Sequence, residues 1–200
     1  MKKYIVKKAG GKGEGLFASQ DIKEGEILFA VDLSKQKSYT SEEIAKMPNN
    51  NHADYVGRGR YVISFHHYSY MNHSCNPNIV VKHESIAKST FIAMRDIKKG
   101  EELTHDYGVG AMDQFGKTLW TMDCKCGSKN CRKKIPGDFF KQPIDLQRKY
   151  YKYLPPAIKR KYKDKFNKLM TWRNKTSSEI KDFLDHAALS PIRSGQLTGI

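Results

Sequence analysis

Apolar and polar residues alternate in short runs through the first two thirds of the chain, and the period is two rather than 3.6. The alternation predicts half-buried strands over Lys3 to Val6, Glu26 to Val31, Arg60 to Phe65, Ile79 to His83 and Ser89 to Met94. Before residue 110, a clear helical pattern occurs in Ser41-Glu42-Glu43-Ile44-Ala45-Lys46-Met47. The segment Ala18-Ser19-Gln20-Asp21-Ile22-Lys23-Glu24-Gly25-Glu26-Ile27-Leu28 recurs as Ala93-Met94-Arg95-Asp96-Ile97-Lys98-Lys99-Gly100-Glu101-Glu102-Leu103. In each copy a Lys-x-Gly-Glu turn separates two short apolar stretches, so both read as strand, turn, strand. The region up to Gly137 is therefore expected to be mainly β.

Beyond Pro136 the period changes. Pro155-Pro156 can open a helix that sets Ile158, Tyr162, Phe166, Leu169 and Met170 on one face. Thr176-Ser177-Ser178-Glu179 forms a capping box ahead of Ile180, Phe183, Leu184 and Leu189. Two or three amphipathic helices are expected, and from Pro191 onward no period is visible. From Asp138 to Ile200 there are 14 Lys and Arg against 6 Asp and Glu, a net of +8 out of the +15 of the whole chain. Two readings follow: the helices pack on the preceding domain with lysines facing water, or their basic face meets nucleic acid.

With 200 residues, 38% hydrophobic and 11% aromatic, the chain can form one packed domain with an appendage. Its start, Met1-Lys2-Lys3-Tyr4-Ile5-Val6-Lys7-Lys8, lacks the apolar run of a Sec signal, and nowhere do eighteen apolar residues stand together. No membrane association and a reducing compartment are expected.

The chemistry is signalled by four cysteines. Cys75 lies in Asn72-His73-Ser74-Cys75, and the other three form Cys124-x-Cys126-x4-Cys131, with Gly127 permitting a turn between ligands. Four thiols suit a tetrahedral zinc site that staples a distant loop to a tight knuckle. The alternative is four reduced or disulfide-paired cysteines.

Asn72-His73-Ser74-Cys75-Asn76-Pro77-Asn78, followed by Gly100-Glu101-Glu102-Leu103-Thr104-His105-Asp106-Tyr107-Gly108, resembles the two signature motifs of SET-domain protein-lysine methyltransferases. Gly11-Lys12-Gly13-Glu14-Gly15-Leu16-Phe17-Ala18 resembles the family's glycine-rich opening, and Cys124 to Cys131 its post-SET zinc knuckle. Four motifs in this order are specific where each alone is weak. The resemblance implies a SET-type β-clip domain of small curved sheets with a knot-like crossing near the two signature motifs, plus a C-terminal α-helical extension. The expected division is a SET domain over 1–120, a zinc-binding segment over 121–137 and a basic helical extension over 138–200.

The implied cofactors are S-adenosylmethionine and zinc. Tyr107 matches the catalytic tyrosine whose hydroxyl sits beside the transferred methyl. Lys12, Gly13, Glu14, Asn72 and His73 match cofactor-contacting positions, and Cys75, Cys124, Cys126 and Cys131 the metal ligands. Tyr68, Tyr70 and His105 are expected along the substrate channel. Lysine, with a pKa near 10.4, must lose a proton before it attacks, which costs about 4 to 5 kcal/mol at pH 7. A dry aromatic channel beside a sulfonium lowers that cost.

Three positions depart from the family. His105 stands where phenylalanine or tyrosine influences how many methyl groups are added. Ser69 replaces a frequent arginine. No tryptophan after Cys131 covers the adenine in the usual place, which leaves Ile135, Phe139 or Phe140 as candidates. The expected activity is methylation of histone lysines. Alternatives are methylation of a non-histone basic protein, or a weakly active module that binds chromatin or nucleic acid. The nucleus is the expected location in a eukaryote, and the cytoplasm or a host nucleus otherwise.

Overall fold

The computed structural model of the protein describes residues 2–113, 115–116 and 120–171. In chain order the elements are β1 (Tyr4–Lys8), β2 (Glu14–Ala18), β3 (Ile27–Asp32), α1 (Ser41–Ala45), β4 (Ala53–Gly57), β5 (Arg60–Ile63), β6 (Asn72–His73), β7 (Ile79–Ser85), β8 (Lys88–Ala93) and β9 (Glu102–His105). Then follow α2 (Tyr107–Gly110), β10 (Thr121–Asp123), β11 (Lys134–Pro136), α3 (Ile144–Tyr151), α4 (Pro156–Lys161) and α5 (Lys163–Thr171). The chain forms two compact units, residues 1–162 and 163–200, and α5 is the described helix of the second.

The first unit is mainly β, built from small sheets ordered β1-β2-β9-β6 and β3-β8-β7 and from the hairpins β4-β5 and β10-β11. Their inward-facing residues make one core, in which Leu16, Ala18, Ile22, Met71, Ile79, Phe91, Ala93, Ile97 and Leu103 are buried. The two signature segments lie side by side: β6 runs parallel to β9, with Asn72 opposite Thr104 and His73 opposite His105. A parallel pair needs a long crossover, and here β7 and β8 provide it.

The internal echo becomes a reciprocal contact. Ile22 and Ile97 exchange two backbone hydrogen bonds of 2.9 and 2.8 Å. Asp96 accepts from Lys23 Nζ and Glu24 N, while Asp21 accepts from Lys98 Nζ and Lys99 N. Each copy's aspartate thus satisfies the other copy's turn, and Gly25 (φ 80°) and Gly100 (φ 89°) supply the left-handed residue that each turn requires.

Helix α1 falls where the pattern places it and ends two residues earlier. Its start is a capping box, with Thr40 Oγ1 accepting from Glu43 N and the Glu43 carboxylate accepting from Thr40 N. The helix expected to run from Pro156 through Met170 is interrupted instead. Tyr162 leaves helical geometry (φ −112°, ψ 27°), its ring stacks on Phe115 and its hydroxyl donates to Phe115 O at 2.9 Å. Those contacts outweigh continuation of the helix. Within the first unit, Tyr150, Leu154 and Ile158 are buried, and His83 N donates to Tyr153 O at 2.9 Å, which ties this segment to β7. Helices α3 and α4 thus pack on the β unit, while Arg160 and Lys161 remain exposed. The capping box at Thr176 and the aperiodic stretch from Pro191 lie outside the described residues.

Candidate active site and metal centre

The loop after β6 and the segment between β10 and β11 bring the four cysteines together. All are free, and their sulfurs lie within 4.8 Å of one another. Zinc–sulfur bonds of about 2.3 Å in a tetrahedron place sulfurs about 3.8 Å apart. Cys75 and Cys124 are 3.8 Å apart, well beyond a disulfide bond. Arg132 N and Nε point at Cys75 Sγ from 3.3 and 3.5 Å, and His73 Nε2 stands 3.4 Å from it. Burial pushes the Cys124 thiol up to about 12, whereas at Cys126 hydrogen bonding outweighs burial and brings the thiol down to about 6. Four soft donors at this spacing, flanked by N–H groups directed at sulfur, fit zinc.

A second cluster forms where β2, β6 and β9 meet. Asn72 Nδ2 donates to Glu14 O at 3.0 Å and to Glu102 Oε1 at 2.8 Å, and Lys12 pairs with the other Glu102 oxygen. Both amide hydrogens of Asn72 are thus engaged, so its Oδ1 is the atom it can offer a ligand. A Cβ at Gly15 would lie 2.8 Å from Ala9 Cβ, 3.0 Å from Glu102 Oε1 and 3.1 Å from Asn72 Nδ2. Only glycine lets the strand come this close. Gly13 has open space around it and needs glycine for its φ of 78° instead.

Tyr107 opens α2, whose N-cap Asp106 accepts from Gly108 N at 3.0 Å. The Tyr107 hydroxyl donates to Met71 O at 3.1 Å, and its backbone N–H donates to His73 Nδ1 at 3.1 Å. Because Nδ1 accepts, the His73 proton sits on Nε2 and faces Cys75; burial also holds the ring below its ordinary pKa. The His73 side chain therefore joins the tyrosine backbone to the cysteine cluster. Burial and the Glu102 charge raise the Tyr107 phenol, which stays protonated at neutral pH. Its ring lies 4.9 Å from that of His105, which burial, His73 and His83 bring down to about 3 and keep neutral.

Tyr107 and His105 line a cavity of about 420 Å³ together with Tyr55, Tyr61, Tyr68 and Trp120. Tyr68 donates to Asp54, and Tyr61 donates to Asp113 at 3.2 Å, so two carboxylates stand in the aromatic wall. Burial brings Asp54 up to about 6 in spite of the Tyr68 hydrogen bond. Ser69 also lines this space. Tyr70 does not; its ring lies 6.2 Å from that of His52. Ile135 and Phe139 have no exposed surface, so neither offers a face to a ligand, and Phe140 packs edge-on against Phe115.

Sequence reasoning missed several of these residues. Glu102 lies within the second signature motif, where its pairing with Lys12 and Asn72 has no local sign. Trp120 precedes the knuckle and lies against Gly137, where a Cβ would be 2.6 Å from the indole. Arg132 follows the last cysteine and reaches both oxygens of the fully buried Asp106 at 2.6 and 2.7 Å, with Nη1 on Gln142 Oε1 at 2.6 Å.

Comparison with known proteins covers the segment that carries the signature motifs. The model of the SET domain family matches residues 13–108, and that segment forms a SET domain. It is 34% identical over 134 residues to the histone-lysine N-methyltransferase ASHH3 of Arabidopsis thaliana, covering 62% of this chain and 35% of that protein. It is 33% identical over 140 residues to a histone-lysine N-methyltransferase, H3 lysine-36 specific, of Mycosarcoma maydis, covering 60% of this chain and 13% of that protein. The chain thus spans about a third or less of the length of these relatives. The crystal structure of KRYPTONITE in complex with mCHG DNA and SAH is similar with a TM-score of 0.48 and 24% identity, covering 65% of this chain and 28% of that one.

Proposed function

We propose that this protein transfers a methyl group from S-adenosylmethionine to lysine side chains of histones. The observation that carries the proposal is the placement of Tyr107. It is a protonated phenol anchored on Met71 O, within a cavity of aromatic rings and beside the cluster of Asn72, Glu102 and the Lys12–Glu14 turn. S-adenosylmethionine supplies an electrophilic methyl on a sulfonium. Asn72 Oδ1 and the backbone around Gly13 and Glu14 are positioned to receive its amino-acid end, and the backbone of His73 to receive its adenine. The Tyr107 hydroxyl orients the amine, His105 and Tyr68 line its path, and the rings exclude water so that the neutral amine is favoured. Asp54 and Asp113 suit the approach of a basic peptide.

Cys75, Cys124, Cys126 and Cys131 would hold zinc, which would tie the knuckle to the signature loop. The functional parts of the chain are the SET domain over 1–120, the knuckle over 121–137 and the basic extension from 138. Exposed Arg160 and Lys161 are available to nucleosomal DNA, and histone substrates imply the nucleus in a eukaryote, or a host nucleus otherwise. No helix among the described residues is long and apolar enough to cross a membrane. Incubation of the purified chain with labelled S-adenosylmethionine and core histones, nucleosomes and total lysate tests the reading. Label on a histone supports it; label confined to other proteins moves the substrate, and no label on any of them overturns it.

A further inference from the structure

Behind the main cavity lies a second, much smaller one of about 10 Å³, lined by His83, His105, Asp106, Gly110, Tyr150 and Leu154 among others. His83 and His105 line both spaces and so form the partition between them. The small cavity is about the size of one water probe. Tyr150, one of its lining residues, is 4% exposed, and its buried hydroxyl has no hydrogen-bond partner within the protein. A buried hydroxyl left in that state costs about 1 to 3 kcal/mol. Two imidazoles face the same space. His83 Nδ1 is engaged with Ser89 Oγ at 2.8 Å, which leaves Nε2, while a Cβ at Gly110 would lie 4.0 Å from Nδ1 and Cε1 of His105. The Asp106 carboxylate is already taken by Arg132 and Gly108 N.

We infer that this cavity holds one ordered water bridging the Tyr150 hydroxyl to His105 and His83, and that Tyr150 is thereby a positioning residue for His105. Burial keeps the Tyr150 phenol protonated, so it can donate, and both imidazoles are neutral, each with one donor and one acceptor nitrogen. A water with three such partners is well held. It fixes the ring orientation and tautomer of His105, and so decides which nitrogen that ring turns toward the Tyr107 side of the main cavity. Helix α3, far along the chain from the signature motifs, thus completes the wall on which the amine rests. The functional part of the inference depends on the methyltransferase reading; the water and its effect on His105 do not.

Tyr150→Phe tests it, since the change removes one oxygen and keeps the packing. A crystal structure of the wild type should contain a water within hydrogen-bonding distance of Tyr150 Oη, and the variant should lack it. The ¹⁵N signals of the His105 ring should shift in the variant. The ratio of mono- to di- and trimethylated product should change by about threefold or more, with KM for the peptide unchanged. No water in the wild type, or His105 signals unchanged in Tyr150→Phe, overturns the inference. Product ratios that stay constant while the ring signals shift overturn its catalytic part. If the wild type transfers no methyl group, the proposed function fails, and the density and ring signals still decide this inference.

Discussion

Arg132 Nη2 lies 2.6 and 2.7 Å from the two carboxylate oxygens of Asp106, which has no exposed side-chain surface. Asp106 caps the helix that begins with Tyr107, and Arg132 follows the last knuckle cysteine, so one ion pair joins the cysteine cluster to the tyrosine. Removing one member of a buried pair strands the other, at a cost of about 3 to 5 kcal/mol. Arg132→Met should lose stability on that scale in urea unfolding. Asp106→Asn with Arg132→Met should recover part of it, since neither charge is then left alone.

The cysteine cluster predicts about one zinc per chain by elemental analysis. Cys126→Ser should lose the metal and the activity while its far-ultraviolet spectrum keeps the β signal, because the main core lies on other sheets. Zinc near zero in protein prepared without chelator contradicts the metal assignment.

Glycine at 15 is required by space and at 13 by backbone conformation, and the two changes should separate. Gly15→Ala pushes on Asn72 and Glu102, so cofactor affinity measured by calorimetry should fall about tenfold or more. Gly13→Ala should cost about 1 to 3 kcal/mol of local strain, with its larger effect on the stability of the turn.

Asp54 supplies a pH signature. Its folded-state pKa, raised by burial to about 6, exceeds that of the unfolded chain, so the native state binds the extra proton between about pH 4 and 6. Stability from this group is therefore present at low pH and is lost as pH rises through 6. Asp54→Asn keeps an acceptor for Tyr68 and removes the charge. It should raise stability at pH 8 by up to about 3 kcal/mol and flatten the profile across that window.

Contiguous features could be read from the sequence, and features that depend on distant partners could not. The grouping of the four cysteines and the strands β3, β7 and β8 follow from spacing and alternation. The echo around Ile22 and Ile97 was visible as a repeat, although its reciprocal pairing is a tertiary event. Tyr61 and Trp120 reach the cavity from a hairpin and a loop with no motif of their own. Arg132 looks like one more surface cation until Asp106, 26 residues away, is placed beside it. The break at Tyr162 is invisible because helical periodicity continues through it, and the aromatic ring of Phe115 decides otherwise.

Tyr107 is the residue proposed to orient the amine. The most direct measurement compares single-turnover methyl transfer by the wild type and Tyr107→Phe, with cofactor binding and melting temperature measured on the same preparations. Loss of the hydroxyl should lower the rate about 10²-fold or more while both other quantities stay near wild type. A variant that transfers methyl groups at the wild-type rate contradicts the account.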